Sequence, residues 1–84
     1  MLSIKVLGPG CINCDRVEKV VRDIVREMAL EAKVEKIGDY HQFLHYGLLF
    51  TPGLVINEKL VCGGRVPSKS EVTSWMMTAL EQSG

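Results

Sequence analysis

The sequence predicts an α/β fold with elements in the order β-α-β-α-β-β-α, a four-stranded mixed sheet flanked by helices. Three observations carry this. Leu2, Ile4 and Val6 alternate with Ser3, Lys5 and Leu7, which is the period of a strand. Val17, Val20, Val21, Ile24, Val25 and Met28 recur at the spacing of one helix face. Two apolar runs, Leu54-Val55-Ile56 and Lys59-Leu60-Val61-Cys62, are separated only by Asn57-Glu58, the pattern of a tight β-hairpin.

The elements follow in order. Gly8-Pro9-Gly10 stops the first strand. A long helix then runs from Cys11 or Ile12 to about Leu30. Its outer face carries Asp15, Glu18, Lys19, Arg22, Arg26 and Glu27, and reads as a solvated face. Asp15–Lys19 and Glu18–Arg22 are expected to pair there, each with the acid first. Val34 to Ile37 forms a second strand. Strand, helix and strand together imply a parallel pair with a right-handed crossover. Asp39 caps a second helix, with Gln42 placed as in a capping box, and Gly47 suits its exit. Leu48-Leu49-Phe50 leads into Thr51-Pro52-Gly53 and the hairpin, which Gly63-Gly64 ends. Ser68 and Glu71 form a capping-box pair behind Pro67. The last helix sets Val72, Trp75, Met76, Ala79 and Leu80 on one face, as core.

Composition narrows the function. With 84 residues, 46% of them hydrophobic, the chain has room for one domain spanning residues 1–84 and a core of its own. Its formal net charge is zero, so it lacks the basic excess of a nucleic-acid binder. No apolar stretch approaches a membrane span, and the first strand begins where a signal peptide would need its apolar region. The expectation is a cytoplasmic monomer with no nucleic-acid or membrane partner. The cysteines are Cys11, Cys14 and Cys62. An odd count with one close pair points to chemistry at the pair rather than a disulfide framework.

That pair sits where a strand ends and a helix begins. Free backbone N–H groups and the positive end of the helix dipole favour a thiolate there. Cys11, at the helix start, is the candidate nucleophile. Cys14, one turn further in and more buried, is the candidate resolving thiol. Two thiolates do not complete a tetrahedral zinc site. His41 and His45 read as residues on a wet face of the second helix, so no metal and no cofactor is expected. Cys62 reads as a small buried apolar residue. Thr51-Pro52 is an X–Pro peptide before a strand, open to either isomer.

Taken together, these elements make the chain resemble the thioredoxin-like superfamily. It looks most like its compact thioredoxin/glutaredoxin-like members, the redox-active disulfide proteins of archaea and bacteria. The likeness spans nearly the whole chain. It is carried by Val6-Leu7-Gly8-Pro9-Gly10-Cys11-Ile12-Asn13-Cys14, by Tyr46-Gly47 with Thr51-Pro52, and by Gly64-Arg65-Val66-Pro67-Ser68. The resemblance implies a thiol–disulfide oxidoreductase in which Cys11 attacks and Cys14 resolves. It implies a cis Pro52 beside the disulfide and a Thr51 backbone that pairs with the substrate chain, with Gly10 and Ile12 also in the substrate-binding set. It also implies disulfide-containing protein substrates and a thioredoxin-reductase-type flavoprotein as reductant. The chain departs from thioredoxins in having Gly10 before the first cysteine, Ile12-Asn13 between the two, and Lys5 where a buried acid stands. Lys5 reads as a solvated strand-end residue. Arg65 follows Gly63-Gly64 where glutaredoxins carry an acid that meets glutathione.

Two rival readings share these features. A soft-metal carrier of the heavy-metal-associated type also sets a CxxC loop before a helix, and two thiolates suit Cu(I). It has methionine where Pro9 stands and ends in a strand rather than a capped helix. A thioredoxin-fold module with one dedicated partner and weak general activity is the other alternative.

Overall fold

The computed structural model describes residues 2–82. Strand β1 (Leu2–Leu7) is followed by α1 (Ile12–Glu27), β2 (Ala32–Ile37), α2 (Tyr40–His45), β3 (Gly53–Ile56), β4 (Lys59–Gly63) and α3 (Lys69–Gln82). The sheet has four strands in the order β2-β1-β3-β4. β1 runs parallel to β2 and antiparallel to β3, and β4 closes the sheet as the second arm of the hairpin.

Strand alternation decides what each face carries. Leu2, Ile4 and Val6 point to one side of β1, where α1 and α3 cover them with Val17, Val21, Ile24, Val72 and Met76. Each of these side chains is at most 1% exposed. Fully burying one aliphatic side chain stabilises the fold by roughly 1.5–3 kcal/mol. Leu7 points to the opposite side, where it packs with Val55 and with Phe43 and Leu48 from α2 and the segment after it. The two helical layers thus clamp the central strand β1, whose C-terminal end leads directly into the cysteine loop.

Several boundaries differ from the sequence expectation. α1 stops at Glu27, not Leu30, and Met28 is exposed. Ala29 takes a left-handed φ of 50°, and its N–H and that of Leu30 bond back to the carbonyls of Arg26 and Val25. This is a Schellman cap built on alanine instead of glycine. β2 begins two residues before Val34, because the parallel register with β1 pairs Leu2 with Ala32 and Ser3 with Lys33. The Asn57-Glu58 turn has positive φ at both residues, 50° and 68°, as a type I′ hairpin requires. Asn57 also ties the turn to β1 through paired bonds with Ser3. In α3, Val72, Met76 and Ala79 are buried as expected, Trp75 is half-buried, and Leu80 lies at the exposed margin.

The caps are partly as expected. Ser68 and Glu71 bond reciprocally, each side chain accepting from the other's backbone N–H at 3.1 Å. Asp39 caps α2 without the reciprocal Gln42 bond: its carboxylate accepts from the His41 N–H at 2.9 Å, and Gln42 contributes its backbone N–H to the Asp39 carbonyl. On α1, Glu18–Arg22 pairs as expected. Asp15 does not pair with Lys19. It meets Lys36 of β2, and Lys19 turns to Asp23.

Candidate functional site

Cys11 is the N-cap residue of α1. Its backbone is extended, with φ −77° and ψ 166°, and its Sγ accepts a hydrogen bond from the Cys14 N–H at 3.2 Å. The sulfur therefore occupies the position that a capping oxygen takes in other helices, at the positive end of the dipole. Gly10 makes the approach possible by adopting a left-handed φ of 97°. Cys11 and Cys14 are joined as a disulfide, with Cα atoms 5.1 Å apart. Cys11, Ile12 and Asn13 are exposed, whereas Cys14 is fully buried.

Thr51 and Pro52 lie at the same end of the sheet. β1 and β3 pair Leu7 with Gly53, so Pro52 just before β3 stands level with Gly8 just after β1. Gly8 in turn abuts the Cys14 sulfur. The Thr51–Pro52 peptide is cis, Pro52 is buried, and its carbonyl accepts from the Gly64 N–H at 2.9 Å. Gly10, Cys11, Ile12 and Cys14 thus share one loop–helix junction, and Thr51-Pro52 joins them from the neighbouring strand.

Charged side chains on α1, on β1 and at the start of α3 are partnered. Asp15, the acid nearest Cys14 in the chain, is bonded to Lys36, whose pKa is raised chiefly by that bond. This pairing offsets a negative charge that would oppose a thiolate. Arg65 forms a two-pronged bridge with Glu71, which together with the Ser68 N–H lowers the Glu71 pKa to about 2. Lys5 is not a solvated strand-end residue. It lies mid-strand with its side chain 21% exposed, and donates to Tyr46 Oη at 2.7 Å and Glu58 at 2.9 Å. Tyr46 in turn donates to Glu58 at 2.6 Å. These bonds raise the Lys5 pKa, Tyr46 first and Glu58 second, and Tyr46 and Lys5 lower that of Glu58. Where thioredoxins carry a buried acid, this chain carries a cation already committed to a phenol and a carboxylate.

Cys62 is a buried free thiol, and His41 and His45 are exposed, as their sequence contexts suggested. Among the described residues, no three of His, Cys, Asp and Glu gather into a metal-ligating group. Among them too, no helix is long and apolar enough to cross a membrane. What sequence reasoning missed is the surface beside Thr51. Leu48 is buried while Leu49 and Phe50 are exposed, and hydropathy alone does not separate the three.

A thioredoxin-domain family model matches residues 2–77. The chain belongs to the thioredoxin family. It is 42% identical over 72 residues to a thioredoxin of Methanothermobacter thermautotrophicus, covering 86% of this chain and 94% of that protein. It is 27% identical over 81 residues to a thioredoxin of Methanocaldococcus jannaschii, covering 96% of this chain and 93% of the relative. The fold is similar to that of the germline-specific thioredoxin Deadhead of Drosophila melanogaster. That match has a TM-score of 0.67 at 18% identity and covers 92% of this chain and 79% of the other. Family membership and a bonded Cys11–Cys14 pair make the chain a thiol–disulfide oxidoreductase.

Proposed function

We propose that the chain reduces or exchanges protein disulfides, with Cys11 as the attacking thiol and Cys14 as the resolving thiol. The observation that carries this assignment is their contrast: Cys11 is an exposed helix cap whose sulfur accepts an N–H, and Cys14 is fully buried. The Cys11 thiolate attacks one sulfur of the target disulfide, and the other sulfur leaves and takes a proton. Cys14 then gives up its proton and attacks Cys11, releasing the second target thiol. Two electrons have passed to the target, and the pair is left oxidised. A thioredoxin-reductase-type flavoprotein returns the electrons.

In the same reading, the backbone of half-buried Thr51 pairs with the substrate chain beside Pro52, and Gly10 and Ile12 flank the target sulfur from the α1 side. Residues 1–84 act as one thioredoxin-like domain, as a cytoplasmic monomer. The test is insulin reduction with dithiothreitol or a flavoprotein as electron source. Cys11→Ser abolishes turnover, and Cys14→Ser accumulates mixed disulfides through Cys11. Activity retained in both variants would end the proposal.

A further inference from the structure

The end of the sheet remote from the disulfide carries a second concavity. β3 runs from Gly53, beside Pro52, to Ile56, so Ile56 and the hairpin turn lie away from the redox pair. There β4 and α3 leave an open groove of about 210 Å3. On α3 its residues are Trp75, Thr78, Ala79 and Gln82, spaced i, i+3, i+4 and i+7 along one helix face. On β4, the outer strand, a β-bulge leaves Val61 without a partner on β3, and Val61 lines the groove with Lys59.

The floor is apolar. Ile56 is 3% exposed and Ala79 8%, and half-buried Val61 and Trp75 pack beside them. The rim is polar and carries one sign of charge. Lys59, Thr78 and Gln82 are exposed, and among the described residues no acid lines the groove. Lys59 also stands apart from the other lysines. Lys5, Lys19, Lys33, Lys36 and Lys69 each meet a carboxylate, whereas among the described residues Lys59 has no ion-pair partner. The Trp75 indole N–H likewise has no acceptor among them. An apolar floor bordered by an unpaired cation and free N–H and O–H groups complements an anion carried on an apolar body. Size narrows the class further. An apolar cavity of about 150 Å3 admits benzene, so this groove holds one ring or a short chain and leaves the charged arm at the rim. Sites for drug-sized ligands and cofactors are larger, about 300–1,000 Å3.

We propose that this groove binds a small apolar carboxylate. Its ring lies against Trp75 over Ile56 and Ala79, and its carboxylate meets the Lys59 ammonium. The site is separate from the redox pair and does not depend on the assignment of Cys11 as attacking thiol.

A matched pair of probes tests it. 3-Phenylpropionate and 3-phenylpropionamide share one body and differ in charge. Trp75 is the single tryptophan, so its indole N–H gives one resonance to follow. The acid is expected to shift that resonance saturably, with a Kd on the order of a millimolar. The amide binds about two- to five-fold more weakly, the margin an exposed ion pair supplies. Lys59→Met keeps the apolar stem, removes the charge and brings the two probes to equality. Thr78→Glu, at an exposed position of α3, sets a carboxylate on the rim and weakens the acid below the amide. Arg16→Gln, on α1 outside the groove, leaves both affinities unchanged. A shift that rises linearly without saturating overturns the site, as do equal affinities for acid and amide or a preference that survives Lys59→Met. Cys11→Ser binds both probes as the wild type does, so loss of disulfide reduction and loss of this site are read separately. Other occupants have their own signatures. A dimer in sedimentation that Thr78→Glu dissolves would give the groove to a second copy of the chain. An acetylated peptide ending in Phe that binds at least ten-fold more tightly than 3-phenylpropionate would give it to a chain terminus. Either result overturns the proposal.

Discussion

Gly8 lies so close to the buried sulfur of Cys14 that a Cβ at position 8 would occupy the sulfur's own space. The end of β1 is thereby fitted to the Cys14 sulfur of the bonded pair. In the oxidised protein Cys14 Sγ is tethered to Cys11 and has nowhere to move. In the reduced protein the thiol is free to rotate away. Gly8→Ala is therefore expected to destabilise the oxidised form more than the reduced form. Overpacking of this kind costs about 1–3 kcal/mol. If half or more of that falls on the oxidised state alone, the potential of the pair rises by some tens of millivolts, since about 30 mV corresponds to 1.4 kcal/mol for two electrons. Equilibration of both proteins against a dithiothreitol buffer measures the shift. An unchanged or more negative potential contradicts the packing account.

Leu48 and Gly53 form a second fitted pair. A Cβ on Gly53 would come within 2.8 Å of both Leu48 methyl groups. Gly53→Ala alone should cost about 1–3 kcal/mol by overpacking, and Leu48→Ala about 2–5 kcal/mol by leaving a cavity. Together they should cost less than their sum, by about 0.5–3 kcal/mol, because the added methyl enters the space that the leucine vacates. Urea unfolding of the four proteins in the cycle gives the coupling, and strict additivity would show that the two sites do not share a cavity.

These contacts show where sequence reading succeeds and where it stops. Leu2, Ile4, Val6 and the Val17–Ile24 stripe were readable because each periodicity is local and its burial follows from one element's geometry. The CxxC position at a helix start was readable for the same reason. Asp15–Lys36 was not, because the local rule offers Lys19 and only the β1–β2 register supplies the competing cation. Lys5 met the same obstacle. A polar residue in an alternating strand reads as solvated, and its partners Tyr46 and Glu58 are distant in the chain. The α1 terminus was misread because the helical period continues to Met28, while its stop depends on alanine in a conformation usually left to glycine. The apolar surface beside Thr51 is not legible because a run such as Leu48-Leu49-Phe50 does not declare which side chain turns inward.

Ala29 offers a direct gain. A left-handed backbone costs an L-residue about 1–2 kcal/mol, and glycine loses about 0.5–1 kcal/mol more chain entropy on folding. Both bonds of the cap are made by backbone groups and survive the substitution. Ala29→Gly is therefore expected to stabilise the protein by about 0.5–1 kcal/mol, read as a higher urea midpoint at constant slope. A lower midpoint would mean that the alanine methyl makes a contact worth more than the backbone relief.

Glu71 gives a pH signature. Arg65 and the Ser68 N–H lower its pKa from 4.5 to about 2 in the folded protein. A carboxylate depressed on folding stabilises the native state above its unfolded pKa, and that contribution fades as pH falls toward the folded value. Glu71→Gln should therefore be less stable than the wild type at neutral pH. The gap should hold down to about pH 4.5 and then shrink as pH approaches 2. Thermal unfolding of both proteins across this range checks the sign. A gap that widens on acidification would assign the effect of Glu71 to something other than its charge.

The two active-site sulfurs should also separate under alkylation. In the reduced protein Cys11 is exposed, caps α1, and has its thiolate favoured by the Cys14 N–H and the helix dipole. Cys14 is sealed beneath Gly8, and Cys62 is 8% exposed on the inner side of β4. Substoichiometric iodoacetamide should therefore label Cys11 first under native conditions, with Cys14 and Cys62 following only as the protein opens. In denaturant the helix and its caps are gone, and the three thiols should react at similar rates. Peptide mapping by mass spectrometry distinguishes them. Native labelling that begins at Cys14 would reverse the roles drawn from the geometry, because the sulfur that reacts first with an external electrophile is the one positioned to attack a substrate.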